Sequence, residues 1–90
     1  MTIEDIDKEI EQWQDVLRRA AELKQRAIDS RIPLRFSPIF VQYRTLLTNN
    51  ATAAGVGEAA IALRIETLRI QKQRIVNQQL ERKNNGTVTK

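Results

Sequence analysis

The sequence predicts an all-α protein: a small, coiled-coil-like bundle of two long helices and one short connecting helix, which we expect to dimerise. Two long segments carry apolar residues at alternating steps of three and four, the spacing of one helix face. Both prolines and all three glycines lie outside these segments or at their ends. A chain of 90 residues is long enough for one small domain with a modest core.

The first helix is predicted over residues 3–29. Its apolar face consists of Ile3, Ile6, Ile10, Trp13, Leu17, Ala20 and Ala27. Thr2 followed by Asp5 suits a capped helix start, and Lys24 interrupts the apolar face. Three acid-before-base pairs at a spacing of four lie on the outer face and support a helix.

A short second helix is predicted over residues 38–48, after a connector in which Pro33 blocks helix continuation. Ser37 and Pro38 are typical of a helix cap followed by proline at the first helical position. Its apolar face consists of Ile39, Phe40, Tyr43, Leu46 and Leu47. Asn49 and Asn50 should end this helix.

The third helix is predicted to begin between residues 53 and 58 and to end near Lys83, so the helical domain spans residues 1–83. Residues 84–86 (Asn-Asn-Gly) form an end signal, and residues 84–90 are expected to be a flexible tail. Its apolar stripe contains Ile61, Ile65, Leu68 and Ile75. Lys72 and Gln79 interrupt the stripe, whereas Leu63 and Ile70 point to another side.

Residues 51–57 read ATAAGVG, and three interpretations are open: a DNA-binding helix-turn-helix, a low-bulk junction, or a hinge. The first rests on the spacing of Ala51, Gly55, Val56 and Ile61. Asn50 and Arg64 oppose it, because they stand where such a unit needs apolar core residues. We therefore favour a junction of small residues that lets larger side chains pack closely.

The composition disfavours an enzyme. The chain has no cysteine and no histidine, which excludes thiolate nucleophiles, imidazole bases and disulfides. Acidic pairs at a spacing of four, such as Asp5 and Glu9, are best interpreted as a solvated helix face. We therefore expect no catalytic residue, metal, cofactor or small-molecule substrate. With no secretory signal and no apolar run of about eighteen residues, we expect a cytoplasmic protein without membrane contact.

The net charge of +4 is unevenly distributed. Residues 1–29 hold eight acids and five bases (−3), whereas residues 30–90 hold three acids and ten bases (+7). A basic segment of this kind attracts nucleic acid, an acidic protein, or the acidic segment of a second copy. Polar residues within the apolar stripes are also typical of coiled-coil interfaces, where they fix register.

The predicted function is a non-enzymatic protein–protein interaction module (an adaptor, regulatory or assembly subunit) that forms a homodimer or binds an obligate protein partner. The expected partner contacts are Trp13, Leu17, Ile65, Leu68 and Ile75. The alternative is a small basic nucleic-acid-binding accessory or regulatory protein that uses the third helix. Its phosphate or acidic-partner contacts would be Arg64, Arg69, Lys72, Arg74, Arg82 and Lys83. These side chains point in several directions, which favours a solvated surface.

Overall fold

The computed structural model describes the backbone of residues 2–88 and the side chains of residues 2–82. Within that range the chain forms three α-helices: α1 (Ile3–Asp29), α2 (Pro38–Asn49) and α3 (Glu58–Val88). A short 3-10 turn (Leu34–Phe36) precedes α2. The predicted all-α bundle of two long helices and one short helix is confirmed.

Helix α1 begins and ends at the predicted residues, for local reasons. The Thr2 side chain accepts a hydrogen bond from the Asp5 backbone N–H, and the Asp5 carboxylate accepts one from the Thr2 N–H, both at 3.2 Å. These bonds satisfy backbone donors that have no partner inside a helix. At the other end, the Ser30 N–H donates to the Arg26 carbonyl at 3.0 Å. Arg31 then leaves the helix with a φ of 61°, in the left-handed region.

Helix α2 is short because side chains close both of its ends. Ser37 is 1% exposed, and its hydroxyl accepts a hydrogen bond from the Phe40 N–H at 3.3 Å. Pro38 lacks an N–H, but at the first helical position this removes no hydrogen bond of the helix. The Asn50 side-chain amide donates to the Leu46 carbonyl at 2.8 Å, so the last turn is capped by the residue that follows it.

Residues 51–57 form a hydrogen-bonded loop. Thr52 and Gly55 exchange two backbone hydrogen bonds of 2.9 and 3.0 Å. Gly55 and Gly57 have φ values of 122° and 135°, which other residues rarely adopt. The helix-turn-helix interpretation is therefore wrong, because Ala51 would have to lie inside a helix and α2 ends at Asn49.

Helix α1 packs against both α2 and α3, and one apolar core runs through the bundle. The core residues are Ile6, Ile10, Ala20, Leu47, Ile61, Ile65 and Leu68. Ion pairs join Asp7 to Lys72 and Lys24 to Glu58, so α1 and α3 run antiparallel. The two long apolar stripes thus face one another within one chain.

The predicted end of α3 near Lys83 is wrong, since the helix continues to Val88. Asparagine and glycine lower helix propensity without removing any backbone hydrogen bond, so this end signal is weaker than a proline. Every side chain from Asn77 to Arg82 is exposed, because α1 has no residues left to face this part of α3. Thr89 and Lys90 of the predicted tail lie outside the described residues.

The bundle is a thin rod of 70 × 22 × 16 Å. Its radius of gyration is 19.1 Å, whereas a compact 90-residue domain has about 12 Å. The accessible surface is 6908 Å², whereas about 5,400 Å² is typical of a folded monomer of this mass. The chain therefore exposes roughly 1,500 Å² more than a compact monomer would.

Candidate interaction surfaces

The five predicted partner contacts lie in the seam between α1 and α3. Ile65 is 6% exposed and Leu68 is 0% exposed, so neither can present apolar area to a second molecule. Trp13, Leu17 and Ile75 are partly buried and pack against the same core. Ile65 and Leu68 therefore belong to the chain's own core, whereas partner contacts at Trp13, Leu17 and Ile75 stay a prediction.

A half-buried polar cluster crosses the seam at Glu9. One carboxylate oxygen, Oε1, accepts hydrogen bonds from Arg64 Nη2 at 2.8 Å, Arg64 Nε at 3.3 Å and Trp13 Nε1 at 3.3 Å. The hydrogen bond from Arg64 lowers the pKa of Glu9 below its ordinary 4.5, against the opposing effect of burial. The cluster ties the two long helices together and orients the indole ring.

The polar seam positions predicted to fix a dimer register are largely paired within the chain. Lys72 Nζ lies 2.7 Å from Asp7 Oδ1. Lys24 Nζ lies 3.9 Å from Glu58 Oε2, and the Tyr43 hydroxyl donates to the same oxygen at 3.2 Å. All three helices meet at that carboxylate. Burial, together with the neighbouring Glu58 charge, raises the pKa of Tyr43 above its ordinary 10.0.

The structure divides the predicted nucleic-acid contacts into two groups. Arg64 and Lys72 are held in ion pairs with acids of α1. Arg69, Arg74 and Arg82 are exposed on α3. The side chain of Lys83 lies outside the described ones. Arg64 and Lys72 would have to exchange these carboxylates for phosphate, whereas the three exposed arginines would not.

A groove of about 510 Å³ runs between α1 and α2. Its apolar lining comes from Leu23, Val41 and Leu46, and its α1 side carries Arg19, Glu22 and Arg26. Helix α2 has 12 residues against 27 in α1, and the groove lies beside residues 19–26. Only the C-terminal half of α1 is therefore flanked by α2. Sequence reasoning missed this groove because helix propensity does not tell which side of α1 the short helix occupies.

Two further exposed apolar regions lie elsewhere on the rod. The connector between α1 and α2 exposes Ile32, Leu34 and Phe36, with the Arg35 guanidinium 4.8 Å from the centre of the Phe36 ring. On α3, Leu63 and Ile70 are about half exposed, on the side facing away from α1. Apolar side chains scattered over separate surfaces are normal on a folded protein, so these two regions do not by themselves mark a binding site.

No group of three or more potential metal ligands is present among the described residues. None of the helices in that part of the chain has an apolar stretch long enough to cross a membrane. The fold and these surfaces define a small three-helix protein whose candidate sites are open grooves and faces. No protein family, curated protein or solved structure matches the chain.

Proposed function

We propose that this protein is a non-enzymatic helical interaction module that associates with a second copy of itself, as an adaptor, regulatory or assembly subunit in the cytoplasm. The observation that carries the proposal is the excess accessible surface of roughly 1,500 Å² over a compact monomer of this mass. A standard protein interface takes about 800 Å² from each partner. The excess is therefore larger than one partner's share of a standard interface.

The distribution of that surface also supports the proposal. The N-terminal half of α1 packs against α3 alone, because α2 flanks only the C-terminal half of α1. Several large apolar side chains remain about half exposed, among them Val41, Leu63 and Ile70. Burying such side chains on association is favourable by about 25 cal/mol per Å² before the costs of ordering are counted.

Sedimentation velocity over a hundredfold range of protein concentration tests the proposal. We expect the average mass to rise from the 10.4 kDa of one chain towards twice that value. A single-chain mass throughout the range would contradict self-association. Circular dichroism on the same samples should show helix at every concentration, since the seam is formed within one chain.

The alternative function, nucleic-acid binding, is supported by the three exposed arginines of α3. A labelled DNA or RNA duplex titrated at low and moderate salt should bind with a steep salt dependence if they contact phosphates. The test variant replaces Arg69, Arg74 and Arg82 with glutamine. The matched control replaces Arg26, Arg31 and Arg35, at the other end of the rod. No binding at low salt, or equal loss in both variants, would exclude this function.

A further inference from the structure

The outer face of α1 carries a regular row of charged side chains. In chain order they are Glu4, Lys8, Glu11, Asp15, Arg19, Glu22 and Arg26. At 100° per residue, all of them lie within about 40° of Asp15 around the helix axis. The face points away from the core. Its side chains are exposed, except that of Asp15, which is about one-third exposed. It is a single straight surface rather than a scattered set of charges.

Few of these charges are paired within the chain. Asp15 forms ion pairs with Arg18 and Arg19, the latter at 3.1 Å. In the described part of the chain no other member of the row takes part in an ion pair. Of the three intrahelical pairs expected at a spacing of four, Asp15 with Arg19 is therefore formed, whereas Glu4 with Lys8 and Glu22 with Arg26 are not formed among the described side chains. Their charges are free to meet a partner.

The order of charges is complementary to itself when the helix is reversed. If two copies of α1 lie antiparallel and cross at Asp15, Glu4 faces Arg26, Lys8 faces Glu22, and Glu11 faces Arg19. Each pair occurs twice by symmetry, as in any two-fold interface. Each Asp15 carboxylate at the crossing point has Arg18 beside it in its own chain, which balances its charge while Arg19 meets the partner's Glu11.

The groove lies on the same part of α1 as one half of this row. Arg19, Glu22 and Arg26 line it from α1, and Val41 lines it from α2. The matching residues 4–11 of a second copy cover the same length of helix, about 11 Å. The aliphatic stem of the partner's Lys8 can lie over the apolar lining while its ammonium reaches Glu22.

We infer that the chain forms an antiparallel dimer in which the outer faces of two α1 helices meet, each placing its acidic first turns along the α1–α2 groove of the other. The inference rests on the proposed self-association and specifies its surface. An interface held by exposed ion pairs weakens with salt, because charges at this depth are screened.

Charge reversal at one pair of positions tests this arrangement. Lys8→Glu lowers the net charge from +4 to +2, and Glu22→Lys raises it to +6. Each single change turns two attractive contacts into repulsive ones, so each should weaken the dimer about tenfold in sedimentation equilibrium at low salt. The double variant Lys8→Glu/Glu22→Lys restores opposite charges and should recover the wild-type dissociation constant.

Arg69→Glu and Glu66→Lys are the matched controls, since both alter exposed residues of α3 by the same charge steps. Neither should weaken the dimer tenfold. If net charge alone governs association, Lys8→Glu and Glu22→Lys will shift the dissociation constant in opposite directions. That result would overturn the inference. If the wild-type chain associates and neither α1 variant changes its dissociation constant, the inferred interface is wrong and the proposed function still stands. A wild-type chain that stays monomeric refutes both.

Discussion

Replacing Leu68 with alanine tests whether the seam between α1 and α3 is the core of one chain. Leu68 is 0% exposed and belongs to the core cluster. Truncating a leucine at such a site costs about 2–5 kcal/mol, since it removes buried methyl groups and leaves a cavity. A 90-residue domain has a total stability of about 5–13 kcal/mol. The variant should therefore lose a large share of the free energy of unfolding.

Urea unfolding followed by circular dichroism and by the fluorescence of Trp13 measures this loss. Trp13 is the only tryptophan and packs against the core, so its emission reports the seam directly. Leu80→Ala is the control, because Leu80 is 53% exposed on the part of α3 that α1 does not reach, and it should cost less than about 0.5 kcal/mol. If Leu68→Ala keeps the monomer's stability and only weakens self-association, the seam lies between chains and the core assignment is refuted.

Three backbone and electrostatic features give further predictions. Arg31→Gly should raise stability by about 0.5–1 kcal/mol in thermal unfolding, because a side chain at a φ of 61° is strained and glycine is not; a loss would contradict the strain. Gly57→Ala should lower stability by about 1–2 kcal/mol in the same assay. An added Cβ at Gly57 meets no atom within 4 Å, so the cost comes from its φ of 135° alone, and an unchanged midpoint would show that the loop adapts. Because the pKa of Glu9 is below 4.5 in the folded state, its contribution to stability is present above pH 4.5 and is lost as the pH falls through the folded-state pKa. The stability difference between wild type and Glu9→Gln should therefore shrink on acidification, and parallel pH profiles would argue against the Arg64 contact.

Local signals predicted the helices well. The capping pair Thr2 and Asp5 placed the start of α1 at the observed residue, and Ser37 with Pro38 did the same for α2. These signals succeed because a cap satisfies backbone groups within a few residues, whatever the tertiary structure. The predicted end of α3 was wrong because asparagine and glycine disfavour a helix by less than a proline does.

The partner of each apolar stripe could not be predicted from the sequence. Periodicity identifies Ile65 and Leu68 as residues that must be buried, but it carries no information on whether the covering helix belongs to the same chain. The same holds for the charges: the sequence offers Lys72 and Arg64 as contacts for an external partner, but they bind Asp7 and Glu9 across the seam. Only the antiparallel packing of α1 and α3 determines which charged side chains form ion pairs within the chain.

The short length of α2 explains why a second copy would be accommodated in the proposed dimer. Along the length of α1, the half that contains residues 19–26 packs against both α2 and α3, and the other half packs against α3 alone. An antiparallel second copy brings its three-helix half next to the two-helix half of the first. Each copy would then supply a neighbouring surface where the other has none. In that arrangement the acidic start of α1 would meet Arg19 and Arg26 of the second copy. The same two-fold axis would therefore pair opposite charges and cover the half of α1 that the short α2 leaves open.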